Sequence, residues 1–331
     1  MIRTCFTSKN QMLKKIAILD DYQSQSLSLA DWSVLDPYAL VHVFTTAARD
    51  PTQLVEWLKD FDVVVAMRER SAFGADVLEQ LPKLSLLVST GQRNRAIDSR
   101  ACERLKIAVS AAYGPKNSSA STGEMAWSLI LSMVKRIAAS HQALRQGHWQ
   151  PQLSGSLKGH RLGLVGLGTI GQQMAQIAKA FQMDVVAWSP NMTPERALAH
   201  GVQAVSKSVL FQTSDVVSLH MVLSHSTRDL VGETELQQMK KSAYLVNTSR
   251  AGLVHEEALL QALKSERIAG AGLDVFWQEP LPRDHPLLGL NNVVLTPHLG
   301  YASEEGIASY HQAVVERILQ WFKTGEVVAL Q

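Results

Sequence analysis

Gly166-Leu167-Gly168-Thr169-Ile170-Gly171 stand in the middle of a chain of 331 residues. Before them, Arg161-Leu162-Gly163-Leu164-Val165 is an apolar run that reads as a buried strand. After them, Gln172 to Phe181 is rich in Ala, Gln, Met and Ile and reads as a helix. The glycine spacing gains its meaning from this strand–turn–helix frame. The first glycine allows the tight turn, the second lets the backbone approach a pyrophosphate, and the third lets helix and strand pack closely. The N-terminus of the helix then faces the anion. The frame predicts a dinucleotide-binding unit, with Gly166, Gly168, Thr169, Ile170 and Gly171 at the cofactor. About 160 residues come first, so this unit does not open the chain.

On either side of this turn the remaining apolar runs alternate with helical patterns. Before the turn they fall at 15–19, 41–44, 63–66, 86–89 and 107–110, with helical stretches such as 51–59 and 76–79. After it they fall at 184–188, 216–219, 243–247, 271–275 and 293–295, and a final helix is expected from about Ser303 to Phe322. Such alternation predicts parallel sheets covered on both faces. Between the halves, Tyr113-Gly114-Pro115-Lys116-Asn117-Ser118-Ser119 is punctuation, with serines able to cap a helix. One long helix is expected from Ser121 to Gln146, ended by Gly147, with apolar positions too wide for a single stripe.

Composition narrows the class. Hydrophobic residues make up 46% and charged residues 19%, as in ordinary globular enzymes, and the net charge of +2 with scattered Lys and Arg gives no case for nucleic acid. Cys5 and Cys102 offer neither a disulfide framework nor metal-ligand spacing, which fits a reducing cytoplasm. No run has membrane-spanning length. Residues 1–13 lack the apolar core of a signal peptide and read as a loose extension, with Met12 as an alternative start.

Open α/β sheets keep their ligands at strand ends. Three ends here carry chemically loaded residues: Asn247-Thr248-Ser249-Arg250, Asp274 followed by Glu279-Pro280, and Pro297-His298. Reduction of a 2-keto acid needs a cation for the substrate carboxylate, which Arg meets with paired hydrogen bonds. It also needs a proton donor near neutral pH, which suits His, and a carboxylate on that His to fix its tautomer and favour its protonated form. Arg250, His298 and Glu279 fit these roles. Taken singly, each would more often be a surface or structural residue; together, after a dinucleotide turn, they form a set.

The stretches Leu245-Val246-Asn247-Thr248-Ser249-Arg250-Ala251-Gly252-Leu253-Val254, Ala269-Gly270-Ala271-Gly272-Leu273-Asp274-Val275-Phe276, Glu279-Pro280-Leu281 and Leu295-Thr296-Pro297-His298-Leu299-Gly300 resemble the D-isomer-specific 2-hydroxyacid dehydrogenase family. The resemblance runs over nearly the whole chain. It implies catalytic Arg250, Glu279 and His298, with Asp274 at the nicotinamide amide. It implies two Rossmann-like, doubly wound α/β domains with the active site in the cleft between them. The flavodoxin-like substrate domain would be discontinuous, residues 14–114 plus 299–331, with the NAD(P)-binding Rossmann domain inserted at 115–298. It further implies Ser189, Asn191, Val222, Leu223, Thr227 and Thr248 as cofactor residues, Gly91, Gln92, Arg93 and Arg250 as substrate residues, no metal, and a homodimer joined through the nucleotide domain. In the related formate dehydrogenases a Gln stands where Glu279 does, so Glu279 favours a 2-keto acid substrate.

Some positions depart from the family pattern. The second nucleotide-domain strand ends Ala187-Trp188-Ser189-Pro190-Asn191, without the acid that would bond ribose hydroxyls and repel a 2′-phosphate. Asp184 begins that strand and comes too early to serve. The expected cofactor is therefore NAD or NADP, and Arg196 reads rather as a solvated helix residue than as a phosphate ligand. Arg93 replaces the second glycine of the usual substrate loop; with Arg68 and Arg70 it would suit a second anionic group, although pairing with Glu69 or solvation is the plainer reading. Ala251 and Val222 replace a usual Gly and Pro. The rival to an enzyme is a dinucleotide-sensing corepressor on the same fold, against which the lack of long tails argues.

Overall fold

The computed structural model describes residues 13–114 and 120–331, which fall into two compact units. Residues up to 114 together with Glu304–Gln331 form the first, and residues up to Ser303 form the second. The extension expected at 1–13, Leu13 apart, and the capping serines Ser118 and Ser119 lie outside the described residues.

The first unit is built on β1 (Lys14–Ile18), β2 (Ala39–Val43), β3 (Val63–Ala66), β4 (Leu86–Thr90) and β5 (Ala108–Ala112). All are parallel, in the order β2-β1-β3-β4-β5. Every residue of β3 and β4 is buried, because helices cover both faces of the sheet. One cover is the helix Pro51–Leu58. Asp50 starts it by accepting from the Gln53 backbone N–H, with proline in its first turn. Its Leu54 and Leu58 pack on Ala17 and Val64. On the other face the C-terminal helix Glu304–Thr324 buries Val314 and Ile318 against Ile16, Val65 and Val88. Burial is worth roughly 1.5–3 kcal/mol for each such side chain. That stripe holds the last helix to this unit, although the whole second unit intervenes in sequence.

The second unit has β6 (Arg161–Val165), β7 (Asp184–Trp188), β8 (Gln203–Ala204), β9 (Val216–Leu219), β10 (Tyr244–Asn247), β11 (Gly270–Leu273) and β12 (Val293–Leu295). They pair in parallel in the order β12-β11-β10-β9-β6-β7-β8. The two-residue β8 is too short to show a period in the sequence. The strand order reverses between β6 and β9, so the crevice for a ligand falls beyond their C-terminal ends.

The single helix expected from Ser121 to Gln146 is two. Ala120–Val134 lies on the sheet with Trp127, Leu129, Ile130 and Met133 buried, and it reaches β11 closely because Gly272 has no side chain. A Cβ there would stand 3.0 Å from both Leu129 Cβ and Met133 Cε. Arg136 then turns left-handed at φ 52°, and a second helix, Ile137–Arg145, buries no residue. No glycine or proline marks the break. Tertiary packing sets it: the first helix is fixed to the sheet, Gly155 N–H caps Val134 O at 2.9 Å, and the Arg136 guanidinium bonds Gln152 at 2.6 Å. Among the described residues no helix is long and apolar enough to cross a membrane.

Candidate active site

The glycine turn follows β6 at the switch point. Gly166 sits at φ +102°, where a Cβ would lie 2.6 Å from the His220 carbonyl oxygen. Gly168 faces open space, with nothing within 4 Å of a built Cβ. A Cβ on Gly171 would collide with the Gly166 carbonyl, so only glycine lets the helix Thr169–Ala180 start this close to the strand. Gly166 and Gly171 thus serve the tight turn and the close helix–strand packing that the spacing predicts.

Beside the turn lies a cavity of about 640 Å³. Gly166, Gly168, Ser189, Asn191, Val222 and Thr227 line it, which brings together six of the expected cofactor residues. Thr169, Ile170, Gly171, Leu223, Thr248 and Asp274 are not part of its wall. The parallel register Val165↔Trp188 and the bond from Gly166 N–H to Trp188 O at 2.8 Å set Ser189 next to the turn. The wall also includes Met192, Arg196, Ala199, His200, His220, Met221, Ser224 and Ser226. Of these, Arg196 reads from the sequence as a solvated helix residue; it is exposed on the short helix Pro194–Leu198 and also lines the cavity, its Nη1 donating to Asn191 O at 2.5 Å. His200 carries no sequence signal. His220 follows β9, its Nε2 2.9 Å from Ser218 Oγ, and burial pushes its imidazolium down to about 4.

The chemical side chains gather at the ends of β10, β11 and β12. Past β10, Asn247 shapes the loop, donating to Arg250 O at 2.9 Å and accepting Ser249 N–H at 3.0 Å. Ser249 Oγ bonds Met221 O at 2.6 Å, tying this loop to the one after β9. Arg250 is extended at the head of the turn Ala251–Leu253, its Nη1 donating to Ser249 O at 2.8 Å. Past β11, Asp274 is wholly buried. Its carboxylate accepts from Thr296 Oγ1 at 2.5 Å, Leu299 N–H at 2.8 Å and Gly300 N–H at 2.7 Å. Burial raises the Asp274 carboxyl against those three bonds. Asp274 therefore pins the loop that carries His298, a task its spacing does not announce. Thr122 Oγ1 donates to Gly300 O at 2.9 Å and fixes the far end of that loop to the helix Ala120–Val134.

His298 has φ 55°, and its ring packs edge-on to Tyr301 at 5.4 Å. Nδ1 stands 2.6 Å from Glu279 Oε2, while Glu279 Oε1 accepts Phe276 N–H at 2.9 Å. Burial pushes the Glu279 carboxyl up, but the His298 hydrogen bond and charge, the Phe276 N–H and the Arg250 charge outweigh it and hold it below the usual range. Glu279 therefore stands as a carboxylate against Nδ1, which leaves Nε2 as the ring nitrogen outside this contact.

In the first unit, Gly91 follows β4 at φ +101°, where a side chain would meet the Arg68 guanidinium. Gln92 and Arg93 are exposed; Asn94 holds the loop through Ser89 Oγ at 2.9 Å and Arg68 O at 2.5 Å. Arg70 donates to Asp20 O at 2.8 Å and stacks 4.5 Å from the Tyr22 ring.

A doubly wound sheet with a glycine turn at its switch point and a carboxylate–imidazole pair at neighbouring strand ends defines an NAD(P)-dependent oxidoreductase. Comparison with known proteins makes this specific. Residues 127–300 match the family model for the D-isomer specific 2-hydroxyacid dehydrogenase, NAD binding domain. The chain is 36% identical over 280 residues to a glyoxylate reductase of Korarchaeum cryptofilum, covering 83% of each. It is 36% identical over 307 residues to a D-3-phosphoglycerate dehydrogenase of Methanocaldococcus jannaschii, covering 92% of this chain but 56% of that protein, so it spans little more than half of that relative's length. The crystal structure of a phosphoglycerate oxidoreductase from Vibrio cholerae superposes with a TM-score of 0.88 at 36% identity, covering 94% of this chain and all of the other. The chain belongs to the D-isomer-specific 2-hydroxyacid dehydrogenase family.

Proposed function

We propose that the protein is an NAD(P)-dependent D-2-hydroxyacid dehydrogenase that interconverts a small 2-keto acid and its D-2-hydroxy acid. The observation that carries this reading is the 2.6 Å contact between Glu279 and His298 Nδ1. The residues present fit a dinucleotide: Gly166 and Gly171 leave no room for side chains at the turn, Gly168 opens onto free space, and the buried Thr248 hydroxyl has no hydrogen-bond partner among the described residues. The reduced nicotinamide, when bound, supplies the hydride. Arg250 binds the substrate carboxylate and polarises the carbonyl. His298 gives a proton from Nε2 to the carbonyl oxygen and takes it back in the oxidative direction. Glu279 accepts from Nδ1, fixes the ring's tautomer and stabilises the imidazolium. Asp274 holds the His298 loop and accepts from the nicotinamide amide. Leu223, Thr169 and Ile170 complete the cofactor contacts. Gly91, Gln92 and Arg93 form the substrate loop.

The test is steady-state oxidation of NADH and NADPH with glyoxylate, hydroxypyruvate, pyruvate and phenylpyruvate, on wild type and His298→Ala. Loss of turnover in the variant supports the assignment, and near-normal turnover refutes it. The corepressor reading draws no support from the relatives above, which are named as dehydrogenases and reductases.

The working form we propose is a homodimer joined through the second unit. The helix Ile137–Arg145 buries nothing, and Ile137, Leu144, Trp149 and Leu153 are exposed in one stretch, Trp149 by 76% and Leu153 by 93%. A run of large apolar side chains of this kind marks an interaction surface. Light scattering should give twice the chain mass for wild type and the monomer mass for Trp149→Glu with Leu153→Glu. We place the enzyme in the cytoplasm, because Cys5 and Cys102 offer no disulfide framework that would need an oxidising compartment.

A further inference from the structure

We infer that the cavity beyond β7 selects the 2′-phosphorylated dinucleotide, NADP(H), and that Arg196 with Ser189 determines this specificity. The inference rests on the dehydrogenase reading only for its ligand class.

In a sheet of this kind the second strand after the glycine turn delivers the group that meets the adenosine ribose. Here β7 ends at Trp188, and Trp188 O accepts Gly166 N–H, so the next residue, Ser189, stands beside the turn. A carboxylate at that place would accept from the ribose 2′-hydroxyl and repel a 2′-phosphate. Ser189 carries no charge to repel a phosphate, and its hydroxyl can donate to a phosphate oxygen. Among the described residues no Asp or Glu lines the cavity, whereas Arg196, His200, Ser189 and Asn191 do. The polar side chains of this part of the wall include donors and no carboxylate.

Arg196 is placed rather than merely near. Thr193 starts its short helix by accepting from the Arg196 backbone N–H at 3.3 Å, and Arg196 Nη1 donates to Asn191 O at 2.5 Å. One N–H fixes the guanidinium to the loop that carries Asn191. Among the described residues no carboxylate pairs with it. The neighbouring Glu195 is occupied: its carboxyl is held below the usual range by its own backbone N–H and by the Thr193 hydroxyl, and it does not line the cavity. An unpaired guanidinium tethered at the wall of a cavity free of acids calls for an anion, and the planar fork of Arg suits a phosphate.

Calorimetric titration tests this without turnover, using NADPH against NADH and the fragments 2′,5′-ADP against 5′-AMP. Wild type is expected to bind the 2′-phosphorylated member of each pair about 10- to 100-fold more tightly, the range of one or two charge-assisted bonds. Arg196→Ala should shrink that ratio about tenfold or more, and Ser189→Asp should turn it toward NADH. The inference is overturned if the wild-type ratio is near one or favours NADH, or if Arg196→Ala leaves the ratio as it was. Selective binding without reduction of any 2-keto acid would instead count against the dehydrogenase reading. Turnover with NADH and NADPH alike would count against the selectivity alone.

Discussion

Replacing Glu279 with Gln keeps the shape of the side chain and removes its charge. Glu279 holds two donors, Phe276 N–H at 2.9 Å and His298 Nδ1 at 2.6 Å. Gln has one acceptor oxygen. If that oxygen keeps Phe276, the amide N–H points at Nδ1 and the ring must be neutral, with its proton on Nε2. If the amide flips to serve His298, two N–H donors oppose each other at Phe276. Either way the imidazolium loses a charge-assisted bond, worth about 1.5–3 kcal/mol. The side chains are only 24% and 30% exposed, so little of this is screened. At about 1.4 kcal/mol per tenfold, kcat for keto-acid reduction is expected to fall roughly 10- to 150-fold. KM for the keto acid should move much less, because Arg250 still binds the carboxylate. The assay is steady-state NAD(P)H oxidation near neutral pH, with a melting curve to confirm folding. A folded Glu279→Gln whose kcat stays within about threefold of wild type would refute the view that Glu279 acts through His298.

Three further outcomes are expected. Gly166→Ala forces a side chain into φ +102° and within 2.6 Å of His220 O. Backbone strain of about 1–3 kcal/mol and overpacking of about 1–3 kcal/mol should together lower the melting temperature by about 5–20 °C, and a shift under about 2 °C would contradict the assigned turn. His220, with its imidazolium pushed down to about 4, resists a proton that the unfolded chain takes up near 6.5. Its contribution is therefore fully present above about pH 6.5 and lost as pH falls toward about 4. Urea unfolding at pH 7.5 and 5 should show a smaller loss in His220→Gln than in wild type, and an equal loss would place the titration elsewhere. The same sign applies to His311 in the first unit, lowered by burial against the Asp21 charge, so the variant removes only part of the slope. Finally, burial and then the Asp98 charge push the Cys102 thiol up to about 11, so alkylation at pH 8 should label it in urea but not in the native protein; rapid native labelling would show that the site opens.

Much of the molecule is legible along the chain because its signals are local. The strand–turn–helix around Gly166, the apolar runs that become strands and the helix that ends the chain each depend on neighbours in sequence. The residue types at three strand ends, Arg250, Glu279 and His298, carry their chemistry with them. Legibility fails where a residue's role is set by a distant partner. Arg136 breaks a helix without a glycine or proline, because Gly155 and Gln152 hold the chain on either side of it. Asp274 meets Thr296, Leu299 and Gly300, more than 20 residues away, and its burial follows from the pairing of β11 with β12.

The doubly wound class, the dinucleotide turn and the identity of the three chemical side chains are thus written along the chain, since periodicity and residue chemistry are properties of short stretches. That Glu279 meets His298, and that Arg196 and His200 share a wall with Ser189, follows from folding alone. Those meetings depend on β6 pairing with β7 on one side and β9 on the other, and on which loops the strand order brings side by side. No spacing along the chain encodes that.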